Sequence, residues 1–461
     1  MINTDNIKVF NYINYIILAC IFPIGYFAPL GEWLLISVIA LSGIVKFLLY
    51  NYKIKLNKFY FPLIIIFLLL ISYYSSINRD RSLEAMGSIS GMVIAIYIAI
   101  NISYKDILKN VAYIIGIPVF LTSLCIFSDI AFNTEIRSTL ALLVGDNPTS
   151  ESGNFSRGII MLTMIMPLSV ALFISNKEYI FAFIIFTLVS IVVVIGPNES
   201  SKVALMCSYF TALIVYFLGS KSFFYFGAVS LLWILFCPFI VIKVIPIIKN
   251  IDYAIEKTPT CERVINSALV HDLTYRYDGN SKLIIKNENT YEIYEVLKNG
   301  ICFRMEPWQD TSTGGSVIHR LLVWEYVGKT IFNKPLIGHG IGTSRLIGQN
   351  IILNIPNSYS YIKGGIPLHP HSNFLQIWLE LGLAGIILVL LLWINIIKLG
   401  MKVRKKSYIL GTGVCASIVT IFVVCNLTFG IFQAWWMASI GLIFVLLLQA
   451  AKHEKIIKER L

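Results

Sequence analysis

What most constrains this chain is a succession of long apolar runs. Segments near 10–30, 33–50, 60–76, 86–102, 110–131, 158–175, 178–196, 203–219, 222–247, 373–397, 408–428 and 431–451 carry almost no charge. Crossing a hydrocarbon core as a helix takes roughly 20 apolar residues, and in lipid only a helix or a closed barrel pairs every backbone N–H and C=O. The runs are long and unbroken, so they predict about twelve transmembrane helices and an all-α integral membrane protein. A composition of 57% hydrophobic and 13% charged residues, with mean hydropathy +0.76, is far more apolar than a water-soluble domain needs. The first run includes Tyr15–Ile21 and lacks a small-residue cleavage site, so an uncleaved first span is expected.

The net charge of +12 is informative through its distribution. Lys53, Lys55 and Lys58 follow the second run, Lys105 and Lys109 the fourth, Lys177 the sixth and Lys221 the eighth. Lys398, Lys402, Arg404, Lys405 and Lys406 follow the tenth run, and Lys452, Lys455, Lys458 and Arg460 close the chain. Basic residues at alternate connections are the positive-inside pattern of a membrane protein, not a nucleic-acid footprint. Both termini are then expected in the cytoplasm. The chain divides into an N-terminal bundle, 1–247, of about nine spans, a large extracytoplasmic loop, 248–370, about three further spans over 371–451, and a cytoplasmic tail, 452–461.

The large loop is a shift in composition, rich in acidic residues such as Asp252, Glu262, Asp278, Glu292 and Glu306. It is expected to be a small soluble module with a helix over Val317–Ile331, where apolar and polar residues mix with helical periodicity. A structured loop of this length is usually functional. Six of the eight cysteines fall in apolar runs and suit buried thiols, whereas Cys261 and Cys302 lie in the loop and could pair if it faces an oxidising compartment.

Five of the six histidines gather here: His271, His319, His339 and His369 lie in that loop and His371 stands at its end. His371 opens the segment His371-Ser372-Asn373-Phe374-Leu375-Gln376, which runs through Glu380, Gly382 and Gly385 into an apolar span. Upstream, Arg320 and Trp324 stand one helical turn apart, and Pro335-Leu336-Ile337-Gly338-His339-Gly340-Ile341-Gly342 follows. Together these segments resemble the motifs of the O-antigen ligase and O-antigen polymerase superfamily, and the layout of spans around them is similar as well. The alternating glycines 338, 340 and 342 have no strand-to-helix context and do not read as a nucleotide-binding loop.

The resemblance implies a bacterial inner-membrane glycosyltransferase that moves a glycan from an undecaprenyl diphosphate carrier to a sugar hydroxyl on the periplasmic face. It implies an inverting reaction with no metal or other cofactor. The ligases of the superfamily use lipid A–core as acceptor and are the reading expected here; the polymerases, with another carrier-linked glycan as acceptor, are the alternative, and a protein O-glycan transferase of the same superfamily comes third. A donor with a good leaving group needs a protein that binds a diphosphate, stabilises its developing charge and activates one hydroxyl. Arginine suits the first two tasks, because its planar fork binds phosphate oxygens bidentately and stays charged. Histidine suits the third, because its pKa lies near neutrality.

On this reading His371 is the base and Arg320 the leading diphosphate ligand. Arg157 and Lys202 are further candidates, since cations on the extracytoplasmic side run against the usual sorting. Lys202, in Ser200-Ser201-Lys202, stands where the family often shows arginine, and a lysine gives a point charge without the fork. Arg79 and Arg81, either side of Asp80, can compensate within their own segment, and Arg345 belongs to the same class of cations. Trp324, His339 and Glu380 are candidate acceptor or loop contacts; Trp308 and Trp324 could stack on sugar rings or pack in a core. His369 stands two residues from His371, yet no acidic cluster completes a zinc shell around the pair. A transporter, the rival from another class, predicts charges in mid-span lining a path, whereas here the unusual charges gather at one face.

Overall fold

The computed structural model describes residues 4–50, 60–103, 110–132, 135–143, 152–252, 274–277, 282–287, 290–296, 302–305, 313–348, 352–354, 361–363, 365–366 and 368–460. The apolar runs are helices: α1 Thr4–Phe27, α2 Glu32–Tyr50, α3 Tyr60–Ser75, α4 Arg79–Ser103, α5 Val111–Ala131, then the short α6 Glu135–Leu143, α7 Ser152–Ser175, α8 Tyr179–Ile195, α9 Glu199–Leu218 and α10 Ser220–Asp252. After the loop region, which contains α11 Thr313–Ile331, come α12 Asn373–Lys406, α13 Tyr408–Leu427 and α14 Ala434–Arg460. Among the described residues ten helices are long and apolar enough to cross a membrane, and α3 and α8 are shorter apolar helices of 16 and 17 residues. The protein is a multi-pass helical membrane protein.

The most enclosed helices are α7 and α13, which pack on one another and, in the case of α13, on α9 and α12. Small residues permit this. A Cβ on Gly413 would lie 2.4 Å from the Cβ of Ala171 and 2.6 Å from the Pro167 carbonyl, so the two backbones touch where a larger residue would hold them apart. Indoles tie the next layer together: the buried Trp378 donates to the Ile234 carbonyl at 3.0 Å, the buried Trp393 to Ser230 at 2.8 Å and the half-buried Trp233 to Asn426 at 2.7 Å, linking α10 to α12 and α13. In a low-dielectric interior each N–H needs such a partner.

The loop region holds the helix expected over Val317–Ile331 as the greater part of α11, which packs between α10 and α12. It also holds an antiparallel sheet in the order β1 Thr274–Tyr277, β2 Lys282–Asn287, β3 Thr290–Val296 and β4 Cys302–Met305, and a two-stranded ribbon of β5 Ile352–Asn354 and β6 Tyr361–Lys363. These strands are absent from the sequence reading, which followed the loop's charge. The Tyr, Ile and Val of β2 and β3, closed by two residues between Asn287 and its partner Thr290, are a strand-and-hairpin signal. Cys261, His271 and Trp308 lie outside the described residues, as does the side chain of Cys302, so the expected cysteine pairing does too.

One break positions the site. Helix α12 is interrupted at Gly382, at φ 63° and ψ −157°, a conformation open essentially to glycine alone. The backbone groups freed by the break are taken up by the Pro335–Gly340 turn. Leu383 and Ala384 donate to the carbonyls of Pro335 and Leu336 at 2.8 and 3.1 Å, while His339 and Gly340 donate to those of Leu379 and Glu380 at 2.9 and 3.1 Å. A broken helix at membrane depth survives only when its open groups are satisfied in this way. The two sequence motifs are thus one structural unit.

Candidate active site

The site is built where the chain enters α12. Ser372 caps that helix, its Oγ accepting from the Leu375 amide at 3.5 Å. The residue before it, His371, has φ 57°, left-handed and uncommon for any residue with a Cβ. Its amide reaches back to Nδ1 of His369 at 3.3 Å. The carbonyl of Pro370, on the other side of the same peptide unit, accepts from the indole N–H of Trp324 at 2.8 Å.

The imidazole of His371 is fixed by the segment after α13. Its Nδ1 stands 3.2 Å from the carbonyl of Thr428. A carbonyl only accepts, so Nδ1 carries the proton and Nε2 keeps its lone pair. The Thr428 segment lies this close because residue 430 is glycine: a Cβ there would come within 2.9 Å of Gln376 Oε1 and 3.0 Å of the His369 Cβ.

Three histidines converge. The His369 and His371 rings are 4.5 Å apart between centroids, and the His319 ring is 6.0 Å from His371. Burial pushes the pKa of His371 down to about 3, reinforced by the neighbouring His369, Arg320 and His319 and opposed by the Thr428 carbonyl. Burial likewise pushes His369 down to about 4, opposed by a backbone hydrogen bond and reinforced by Arg345. Both rings are therefore neutral at neutral pH. Arg320 sits in α11 beside His319, partly buried, with its charge acting on His371. Among the described residues no group of three or more His, Cys, Asp or Glu side chains forms a metal-binding arrangement.

Glu380 and His339 are turned into the protein. Glu380 is fully buried, and its carboxylate accepts from the Gly342 amide, from the Ser344 hydroxyl and, at 3.0 Å, from the Gln376 amide group. Gln376 in turn accepts from the Ile431 amide at 3.0 Å. The pair joins α12, the turn carrying Arg345 and the segment carrying Thr428. His339 is also buried, with Nε2 3.1 Å from the Thr330 carbonyl; burial lowers its pKa and Lys334 lowers it further against that hydrogen bond. It pins the glycine-rich turn to the end of α11.

The two remaining candidates approach from other helices. The Arg157 guanidinium, in the first turns of α7, lies 4.9 Å from the Trp435 ring centroid. Trp435 is 4.6 Å from Phe429, the residue after Thr428. Lys202 is ion-paired with Glu199 at 2.9 Å in the first turn of α9, where Ser200 donates to the Leu427 carbonyl at 3.0 Å. The structure thus brings His371, Arg320 and Trp324 together, puts Arg157 and Lys202 on helices that border the Thr428 segment, and gives Glu380 and His339 structural partners. Sequence reasoning named His319 and Gln376 without giving either a role, and missed Thr428. His319 could have been given one from its place beside Arg320, whereas Thr428 contributes a backbone carbonyl and leaves no side-chain signal.

A family model described as O-antigen ligase matches residues 153–390, just over half the chain, and takes in Arg157, Lys202, Arg320, Trp324, His371 and Glu380, while the Thr428 segment follows it. Three curated relatives, each named for a proposed polysaccharide ligase, are similar over shorter stretches. The one from Rickettsia conorii is 31% identical over 164 residues, 34% of this chain and 38% of the relative. Those from Rickettsia felis and Rickettsia prowazekii are 32% and 30% identical over 28% and 32% of this chain, and 31% and 35% of the relatives. The chain therefore matches about a third of the length of these relatives. With the motif residues gathered at one site inside the matched region, the chain belongs to the O-antigen ligase family.

Proposed function

We propose that this protein is an O-antigen ligase, transferring a glycan from undecaprenyl diphosphate to lipid A–core on the periplasmic face of the bacterial inner membrane. The observation that carries the reading is the contact of His371 Nδ1 with the Thr428 carbonyl. With Nδ1–H committed to the Thr428 carbonyl, Nε2 is the atom left to take a proton. The acceptor oxygen attacks the anomeric carbon, its proton passes to Nε2, and the bond from that carbon to the diphosphate breaks with both electrons leaving on the carrier. Arg320 holds the diphosphate and offsets the charge that develops there. Arg157 serves as a second cation, and Lys202 as a weaker one because Glu199 shares its charge. The names of the rickettsial relatives support ligation over polymerisation.

The test is deletion in the native host followed by gel analysis of lipopolysaccharide. Loss of glycan from lipid A–core, with long carrier-linked chains retained, is the expected result. Cores capped by single repeat units would make the protein a polymerase instead.

A further inference from the structure

We propose that His369 and Trp324 clamp the peptide unit between Pro370 and His371, as positioning residues for the base. The inference rests on the reading of His371 given above. That peptide unit has one acceptor and one donor, and side chains hold both: the Trp324 indole on the carbonyl at 2.8 Å and His369 Nδ1 on the amide at 3.3 Å. The conformation they hold is the left-handed one at His371, which a residue with a Cβ leaves readily when nothing fixes it.

The clamp members are themselves fixed. His369 is 7% exposed and packs against Gly430, and because its Nδ1 accepts the amide its own proton sits on Nε2, in the neutral form that its burial favours. Trp324 stands on α11 next to Val323, which is fully buried. The same helix carries Arg320 one turn earlier, so the spacing from Arg320 to Trp324 sets the distance between the diphosphate's cation and the base's backbone. Trp324 is thereby assigned to the enzyme's own backbone, not to a sugar ring.

The experiment is steady-state transfer by the purified full-length protein, with an undecaprenyl diphosphate-linked glycan and lipid A–core as substrates, comparing W324F, H369A, H369N and H371A. W324F keeps an aromatic ring and removes the N–H together with part of the indole's volume, so its Tm is read beside its kcat and only a fall in kcat at wild-type Tm counts for the clamp. Misplacement of a catalytic group by about 1 Å can lower a rate by about 100-fold, so W324F and H369A should lose about 10- to 100-fold in kcat with donor and acceptor KM unchanged. H369N, whose Oδ1 can accept the same amide, should recover most of the loss. Where H369A does not give folded protein, W324F and H369N decide. Wild-type kcat in W324F and H369A beside an inactive H371A overturns the clamp, as does a raised KM with intact kcat, which would make these residues substrate contacts. Wild-type kcat in H371A overturns the proposed function instead.

Discussion

His371 presents Nδ1 to the carbonyl of Thr428 at 3.2 Å, and this one contact decides which face of the imidazole is available for chemistry. Its partner is a backbone atom after a helix end, held in place by Gly430 and by Gln376. The imidazole proposed as the base is therefore oriented by the packing of α12 against α13, so changes some distance from it should reach the reaction.

The first expectation concerns pH. A base whose pKa is held near 3 by burial, with the neighbouring His369, Arg320 and His319 acting in the same direction, is already deprotonated throughout the neutral range. The acid limb of kcat/KM, which reports the free enzyme, should therefore lie well below pH 6.5, with little loss between pH 8 and about 5. Bound diphosphate offsets Arg320, so the limb of kcat should lie higher than that of kcat/KM. An acid limb of kcat/KM at an unperturbed histidine value would contradict the burial seen here.

Stability should follow the same groups with the opposite emphasis. His339, His369 and His371 all have folded pKa values below the free value of 6.5. Their contribution is complete above that value and is lost as pH falls through it toward about 4 and 3, because the unfolded chain gains protons there that the folded one refuses. Thermal unfolding in detergent should give a lower Tm at pH 5 than at pH 7.5.

Glu380→Ala should behave as a structural change. It leaves the Gly342 amide, the Ser344 hydroxyl and the Gln376 amide group without their acceptor in a buried place, at a cost of about 1–3 kcal/mol for each group left unsatisfied. A large drop in Tm is expected. A wild-type Tm with only the acceptor KM raised would return Glu380 to the role of a substrate contact.

Gly338→Ala and Gly382→Ala should be worse than ordinary glycine replacements. A Cβ on Gly338 would sit 2.4 Å from the Glu380 carbonyl carbon, and one on Gly382 2.6 Å from that of Leu336, both backbone atoms that cannot swing aside. The left-handed conformation alone costs about 1–2 kcal/mol for a residue with a Cβ. Thermal unfolding of the two variants checks this, with Gly87→Ala, which meets nothing within 4 Å, as the comparison.

Much of this protein was legible in the sequence because lipid leaves few choices. The apolar runs could only be helices, and α3 and α8 were readable despite their shortness. His371 and Arg320 were singled out by motif and by the side of the membrane expected for them, and the structure brings the two near one another. The loop's sheet was missed because its short strands are interrupted by charged residues, Lys282 and Lys286 in β2 and Glu292 and Glu295 in β3, and charge was the signal being followed. The roles of Glu380 and His339 were hidden for another reason: a motif shows which residues occur together, and only the break at Gly382 shows that these two face inward to join the motifs.

The central claim is that His371 takes the acceptor's proton while Arg320 holds the carrier diphosphate. Arg320→Ala should raise the donor KM and lower the rate, and Arg320→Lys should recover only part of the loss, since a point charge cannot reproduce the bidentate fork. The most direct measurement is single-turnover glycan transfer by purified His371→Ala beside the wild type. Loss of a positioned general base predicts a fall of roughly 10²–10⁴-fold with donor binding retained. Transfer at the wild-type rate by His371→Ala would contradict the account.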